Sequence, residues 1–438
     1  MANDEIKIDV VDENDTEEEV AAKEEKAEES AETEQIEDSN NLSEKESTRK
    51  EDSEPDTDEQ NAKKEPPIKD KNGKTKIKFW HNPKKRLIFI ISVGLFLILC
   101  FGIGLYFLFN EKPVAKNTDT NKKVEEVVKP ELFESPINGV MTEKANSEKH
   151  PLAVVIENHP DARPQSGLAQ ADIVYEAIAE GGITRFMAIY GTLEAEKAGP
   201  VRSARTFFVD WAHGYNAYLA HVGGNMDALD KIRAEKTFDL DQFAYPASYW
   251  REYSAGLATE HTMYTNTVKL REQAAKNGYS TANNFNLWKF KDDPTTDEQK
   301  ALLPESQNVN VDFSSSEYKV GFAYDKATNS YKRSLAGKSH NDKLTKAQLN
   351  PKNIIVMTVS RKPVVTRINE AGYSMTTVGT GKAQIFLDGK TITGTWKKGS
   401  TADRESFYDE NGAEVIFNRG QFWICVIPPE SSSSVTVS

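Results

Sequence analysis

Residues 87–109, LIFIISVGLFLILCFGIGLYFLF, run for 23 residues without a charge, directly after Lys84, Lys85 and Arg86. A helix of that length reaches roughly 34 Å, enough to cross the roughly 30 Å hydrocarbon core of a bilayer. The stretch is therefore read as one transmembrane helix, and the rest of the chain divides by the side on which it lies. Lys74, Lys76, Lys78, Lys84, Lys85 and Arg86 precede it, whereas the far flank carries Glu111 and scattered lysines. By the positive-inside rule the N-terminus is cytoplasmic and the C-terminal portion is outside, giving a single-pass cell-membrane protein. A cleaved signal peptide would carry a shorter apolar core near the start of the chain. Cys100 lies within the stretch, but Leu99 stands where lipid-modification signals need a very small residue, so it is read as a plain membrane cysteine.

Charge separates the flanking segments. Residues 1–60 hold 25 Asp or Glu against 6 Lys or Arg, a net of −19, with no aromatic residue. Such a segment cannot bury enough apolar surface to offset its ordering entropy, which predicts a disordered acidic tail. Residues 61–86, with 10 basic and 2 acidic residues, form a basic juxtamembrane segment at +8. Against the whole-chain charge of −13, these two leave the remainder near −2. Global charge thus gives no ground for nucleic-acid binding. The tail is either a solvated, self-repelling extension or a recruiter of a basic cytoplasmic protein partner.

Residues 110–131 are polar and read as a stalk. From residue 132 folded signals begin: PLAVVI at 151–156, ADIVYEAIAE at 171–180 and FMAIY at 186–190 are strand-like, with a Gly181-Gly182 turn before the last. Residues 203–213 place Ala204, Phe207, Phe208, Trp211 and Ala212 at helical spacing, with Ser203 as the expected N-cap. A strand over 217–222 and helices over 226–234 and 266–277 follow, the last capped by Asn266 and stopped by Gly278. This alternation predicts an α/β layered domain over 132–291. Residues 292–306, polar and containing Pro294 and Pro304, mark a boundary. Short strand patterns at 318–322, 354–359, 383–387, 391–396, 414–417 and 422–427, with turns at Asp388-Gly389 and Asn411-Gly412, predict a mostly β domain over 307–428. Residues 431–438 are read as a serine-rich end without packing content.

The run ENHPDARPQSGLAQADIVYEAIAEGGITRFMAIY at 157–190, then KAGPVRSARTFF at 197–208, closely resembles the YerB family of bacterial extracytoplasmic proteins. ITGTWKKG at 392–399 and FYDENGAEVIFNRGQFWICVIP at 407–428 resemble that family's C-terminal domain, so the resemblance spans about 133–428. It implies an N-terminal and a C-terminal YerB-like domain outside the cytoplasm, and it implies no activity, because these domains are of unknown function. Many members look like lipoproteins, whereas this chain carries an uncleaved apolar stretch and a long acidic tail.

The densest polar cluster is GPVRSAR at 199–205, entering the Phe207 helix. Backbone N–H groups at a helix start, with Arg202, Arg205 and a capping Ser203, would hold a phosphate or carboxylate, and Arg163 and Arg185 from neighbouring turns would join them. The competing reading pairs these arginines with Glu157, Asp172, Glu176 or Asp210 in a structural network. Glu176 and Glu180 stand four apart in a strand, hence on one face about 13 Å apart, too far for a glycosidase pair unless the strand bends. His159, His221 and His261 are candidates to approach one another, but no HExxH or CxxC spacing supports a metal, and no cofactor is expected. Neither a GxSxG elbow nor a phosphate-binding loop is present. The expectation is a membrane-anchored extracytoplasmic protein that binds an anionic cell-envelope polymer or lipid-linked precursor through Arg163, Arg185, Arg202, Ser203 and Arg205. The alternatives are a protein–protein scaffold and an envelope-polymer phosphotransferase. The latter loosely resembles LytR-CpsA-Psr enzymes but departs from them, since Ser203 stands where an Asp would follow Arg202.

Overall fold

A computed structural model describes residues 130–366 and 369–438, which fall within one compact unit, Lys123–Ser438. The acidic tail, the basic segment, the apolar stretch 87–109 and the stalk up to residue 129 lie outside the described residues. Among those described, no helix is long and apolar enough to cross a membrane.

The described region is mostly β with few helices. Its frame is a ten-stranded sheet in the order Ser406–Asp409, Lys390–Lys398, Gly379–Leu387, Asn353–Thr358, Phe422–Ile427, Ile173–Glu180, Ile183–Tyr190, Leu152–Glu157, Tyr218–His221 and Asp239–Asp241. The sheet runs through both folded segments of the sequence, which meet where Phe422–Ile427 pairs in parallel with Ile173–Glu180, Trp423 opposite Val174. Leu152–Glu157 and Phe422–Ile427 are buried at every position because both sheet faces are covered, and this explains their unbroken apolar runs. Leu152, Val154 and Ile156 face one core with Trp423 and Phe322; Ala153 and Val155 face another with Phe207, Trp211 and Ile355.

The first face is covered by a five-stranded sheet in the order Lys338–Ser339, Ser330–Leu335, Lys319–Asp325, Asn308–Asp312 and Val435–Val437. Val309 and Val311 of this sheet join the first core. The serine-rich end is therefore not without packing: Val435 pairs with Val311 and Val437 with Val309, closing the sheet edge. Two alternating valines suffice to add an edge strand, although the serines before them mask the signal.

The second face is covered by the helix Thr206–His213, whose Phe207, Phe208 and Trp211 are fully buried. The helices Met226–Ala234 and Thr267–Lys276 form as the patterning predicts, and Asn266 caps the latter by accepting from the Val268 and Lys269 amides at 2.8 and 3.2 Å. The Asp388-Gly389 turn joins the long strands Gly379–Leu387 and Lys390–Lys398 with positive φ at both positions, 55° and 65°.

Candidate functional site

The arginines gather where Leu152–Glu157 ends. Ile183–Tyr190 runs antiparallel to this strand with Arg185 opposite Glu157, and the segment 199–205 lies along its end. Glu157 N donates to the Pro200 carbonyl at 2.9 Å, and Arg202 N donates to the Val155 carbonyl at 3.0 Å. Gly199 makes this approach possible. Its φ is +139°, and a Cβ there would stand 2.9 Å from the Met263 carbonyl oxygen.

Arg185 is buried; its Nη1 donates to the Ser203 carbonyl at 2.8 Å and its Nη2 to Glu180 Oε1 at 2.8 Å. Arg205 Nη1 donates to the Ala204 carbonyl at 2.9 Å, and its Nη2 pairs with Glu180 Oε2. One carboxylate thus serves two guanidinium groups. Burial, and then the nearby Arg202 charge, hold Arg185 below the usual guanidinium range, with Glu157 opposing. Burial likewise lowers Arg205, with Glu370 opposing.

Glu180 reaches these arginines because its strand is bulged. Ile178 pairs with Thr184, but Glu180 pairs with Ile183, a one-residue shift that turns Glu180 onto the opposite face from Glu176. The expectation that Glu176 and Glu180 share a face is thereby overturned, and with it any glycosidase pair between them.

Arg202 differs from its neighbours. Its Nε lies 3.2 Å from Glu157 Oε1 without hydrogen-bond geometry, its side chain is 23% exposed, and this is the ion pair it makes among the described residues. Glu157, 4% exposed at its side chain, is shared: Oε2 lies 2.9 Å from His261 Nδ1. The His261 ring stacks on that of His159 with centroids 4.8 Å apart and an interplanar angle of 11°. Asp161 Oδ2 stands 3.6 Å from His159 Nδ1, whose lone pair also accepts from the Asp161 amide at 3.3 Å. His221 stays apart, with Nδ1 2.7 Å from the Gly223 carbonyl and Nε2 2.8 Å from Asp239.

Of the five expected site residues, Arg185, Arg202 and Arg205 come together, with Ser203 contributing its carbonyl rather than a cap. The helix begins at Thr206, and its N-cap residue is Arg205, whose side chain makes no capping bond, so Ser203 is too far upstream to cap it. Arg163 points elsewhere. Its Nε donates to Asn158 Oδ1 at 3.2 Å and its Nη1 to Glu317 at 3.3 Å, with the guanidinium 5.1 Å from the Tyr318 ring centre. It belongs with Asn158, Gln165, His340 and Arg333, a buried network that the sequence reading missed because Ser330–Leu335 carries no apolar run to mark it as a strand.

Glu180→Gln is expected to lower the unfolding free energy by about 1–2 kcal/mol, the upper range for an unpaired buried charge being reduced because Glu180 is 31% exposed at its side chain. Urea unfolding measures it, and added phosphate should restore part of the loss by replacing the missing anion.

The N-terminal domain model of the DUF3048 family, a protein family of unknown function, matches residues 137–280, and the DUF3048 C-terminal domain model matches 309–424. A curated relative, "Putative lipoprotein YerB" of Bacillus subtilis, is 31% identical over 342 residues, covering 77% of this chain and 96% of the relative. The crystal structure of the YerB protein from Bacillus subtilis matches with a TM-score of 0.61 at 30% identity, covering 70% of this chain and 99% of that one.

Proposed function

Because the chain belongs to the YerB family built from the N- and C-terminal DUF3048 domains, we propose that it is a membrane-anchored extracytoplasmic protein that binds an anionic group of the cell envelope. The anchorage rests on the apolar stretch 87–109 with its basic N-terminal flank and accords with the name of the curated relative, "Putative lipoprotein YerB". In this reading the two folded segments, 132–291 and 307–428, lie outside the membrane.

The binding reading is carried by one observation. Three guanidinium groups, Arg185, Arg202 and Arg205, form ion pairs with two carboxylates, Glu157 and Glu180, and the partly exposed Arg202 has hydrogen-bonding capacity to spare. A phosphate or carboxylate at Arg202 would take up that free capacity, and a guanidinium fork suits its geometry. Arg185 and Arg205 are committed to Glu180, so they supply field and positioning rather than direct contact.

The full chain in detergent micelles, titrated with a poly(glycerol phosphate) fragment and with a phosphate-free peptidoglycan fragment, provides the test. The phosphate-bearing fragment is expected to bind, with affinity falling about tenfold in Arg202→Ala, the worth of one charge-assisted contact, and weakening further with added salt. An Arg202→Ala protein that binds as tightly as the parent overturns the reading, as does absence of binding to either fragment.

A further inference from the structure

The two histidines beside the arginine cluster suit a different chemistry. We propose that His159, Asp161 and His261 bind one divalent transition-metal ion of the zinc class. This inference does not depend on anion binding at Arg202.

One nitrogen from each imidazole and one Asp161 oxygen lie within 4.8 Å of one another. A tetrahedral zinc site with bonds of about 2.1 Å separates its ligand atoms by roughly 3.4 Å, so the widest of the three separations must close by up to about 1.4 Å. The movable members are those with room. Side-chain exposure is 67% for Asp161 and 34% for His159 but 6% for His261. His159 must also turn out of its stack on His261 so that both lone pairs meet one ion. The bond it gives up, from the Asp161 amide at 3.3 Å, is a long one.

The fixed member is already prepared as a ligand. Glu157 Oε2 accepts the Nδ1 proton of His261 at 2.9 Å, which leaves the Nε2 lone pair for a metal. A carboxylate behind an imidazole in this way sets the tautomer and raises ligand basicity. Glu157 is in turn anchored by its buried position at the strand end and by Arg202. Two neutral imidazoles and one carboxylate favour zinc and its neighbours over calcium or magnesium, which take all-oxygen shells. Three protein ligands would leave a fourth position open. His221 offers no rival site, because both its nitrogens are engaged by Gly223 and Asp239. The ligand set is invisible as a motif, since His159 and Asp161 are separated from His261 by about a hundred residues and meet only through the fold.

The test uses the full chain without a histidine tag, in detergent micelles, titrated with Zn²⁺ against a chromophoric chelator and with Co²⁺ followed by its visible absorption. One ion per chain is expected, with Co²⁺ giving the intense bands of a four-coordinate site. His261→Gln and His159→Gln should each weaken binding at least tenfold. Glu157→Gln should weaken it on the order of 10–100-fold through the lost orientation of His261. Asp161→Asn, on an exposed side chain that the fold does not need, should weaken binding while leaving the unfolding midpoint unchanged, which separates ligation from misfolding. No stoichiometric Zn²⁺ binding, or binding unaltered in both Asp161→Asn and the double variant His159→Gln, His261→Gln, overturns the proposal.

Discussion

Replacing Arg333 by methionine is expected to lower the unfolding free energy by about 3–5 kcal/mol, the usual cost of stranding one partner of a buried ion pair. Arg333 and Glu176 both have fully buried side chains and meet at 2.8 Å, joining the five-stranded sheet to the ten-stranded one. Glu176 also accepts from Trp423 Nε1 at 2.9 Å and from Thr184 Oγ1 at 3.0 Å, and the Arg333 guanidinium lies 4.1 Å from the Trp423 ring centre. Methionine fills a comparable volume, so the loss measures the abandoned carboxylate, together with the His340 Nδ1 that loses its donor, and not a cavity. Arg333 Nε finds no partner, so the pair itself is held at some cost. It follows that Glu176→Gln combined with Arg333→Met should lose less than Arg333→Met alone, because the neutral amide strands no charge: its oxygen in the Oε2 place still accepts from Trp423, and its NH2 in the Oε1 place can donate to Thr184 Oγ1. Chemical unfolding followed by tryptophan fluorescence reads both variants. A single-variant loss below about 1 kcal/mol would show that the interior relaxes to solvate Glu176.

How much of this was legible in the sequence depends on what each residue had to signal. The strands Leu152–Glu157 and Phe422–Ile427 announced themselves as apolar runs, and the helices Met226–Ala234 and Thr267–Lys276 by period and cap. These are local signals. Glu180's partners were not, because they depend on a single bulged residue that reverses the face of everything after it. Nor could the strand Ser330–Leu335 be read, since its buried residues include Ser330 and Arg333, and an arginine there says "exposed" until Glu176, 157 positions earlier in the chain, is placed beside it. The spacing in GPVRSAR did signal that Arg202 and Arg205 lie together, and the fold brings Arg185 to them; Arg185 and Arg205 pair with Glu180, as the structural reading expected, while the partly exposed Arg202 pairs with Glu157. Arg163 was misassigned because adjacency of turns in sequence does not say on which face of a sheet a side chain falls.

The neighbour of Arg333 gives the chain a pH-dependent stability that can be assigned to one residue. His340 is buried; its Nε2 lies 2.9 Å from Gln165 Oε1 and its Nδ1 faces Arg333 Nη1. Arg333 can only donate, so Nδ1 accepts and Nε2 carries the proton toward Gln165, which fixes a neutral imidazole. A second proton would sit against the guanidinium. Burial first, and then the charges of Arg333 and Arg163, hold the His340 pKa well below its ordinary value. The unfolded chain therefore takes up this proton near pH 6.5 while the folded chain refuses it. Stability from this group is intact above pH 6.5 and declines below it, by up to about 1.4 kcal/mol per pH unit. His150 and His213, also lowered by burial, act in the same direction, whereas His221, raised by Asp239 against its burial, opposes them. The group's own share appears in a comparison with His340→Gln, whose amide can still donate to Gln165 and accept from Arg333 but cannot titrate. Between pH 6.5 and 5.0 the parent protein should lose about 1.6 kcal/mol more than His340→Gln. Parallel stability curves over that range would mean that the folded state admits the proton, and would place water or a moved Arg333 beside His340.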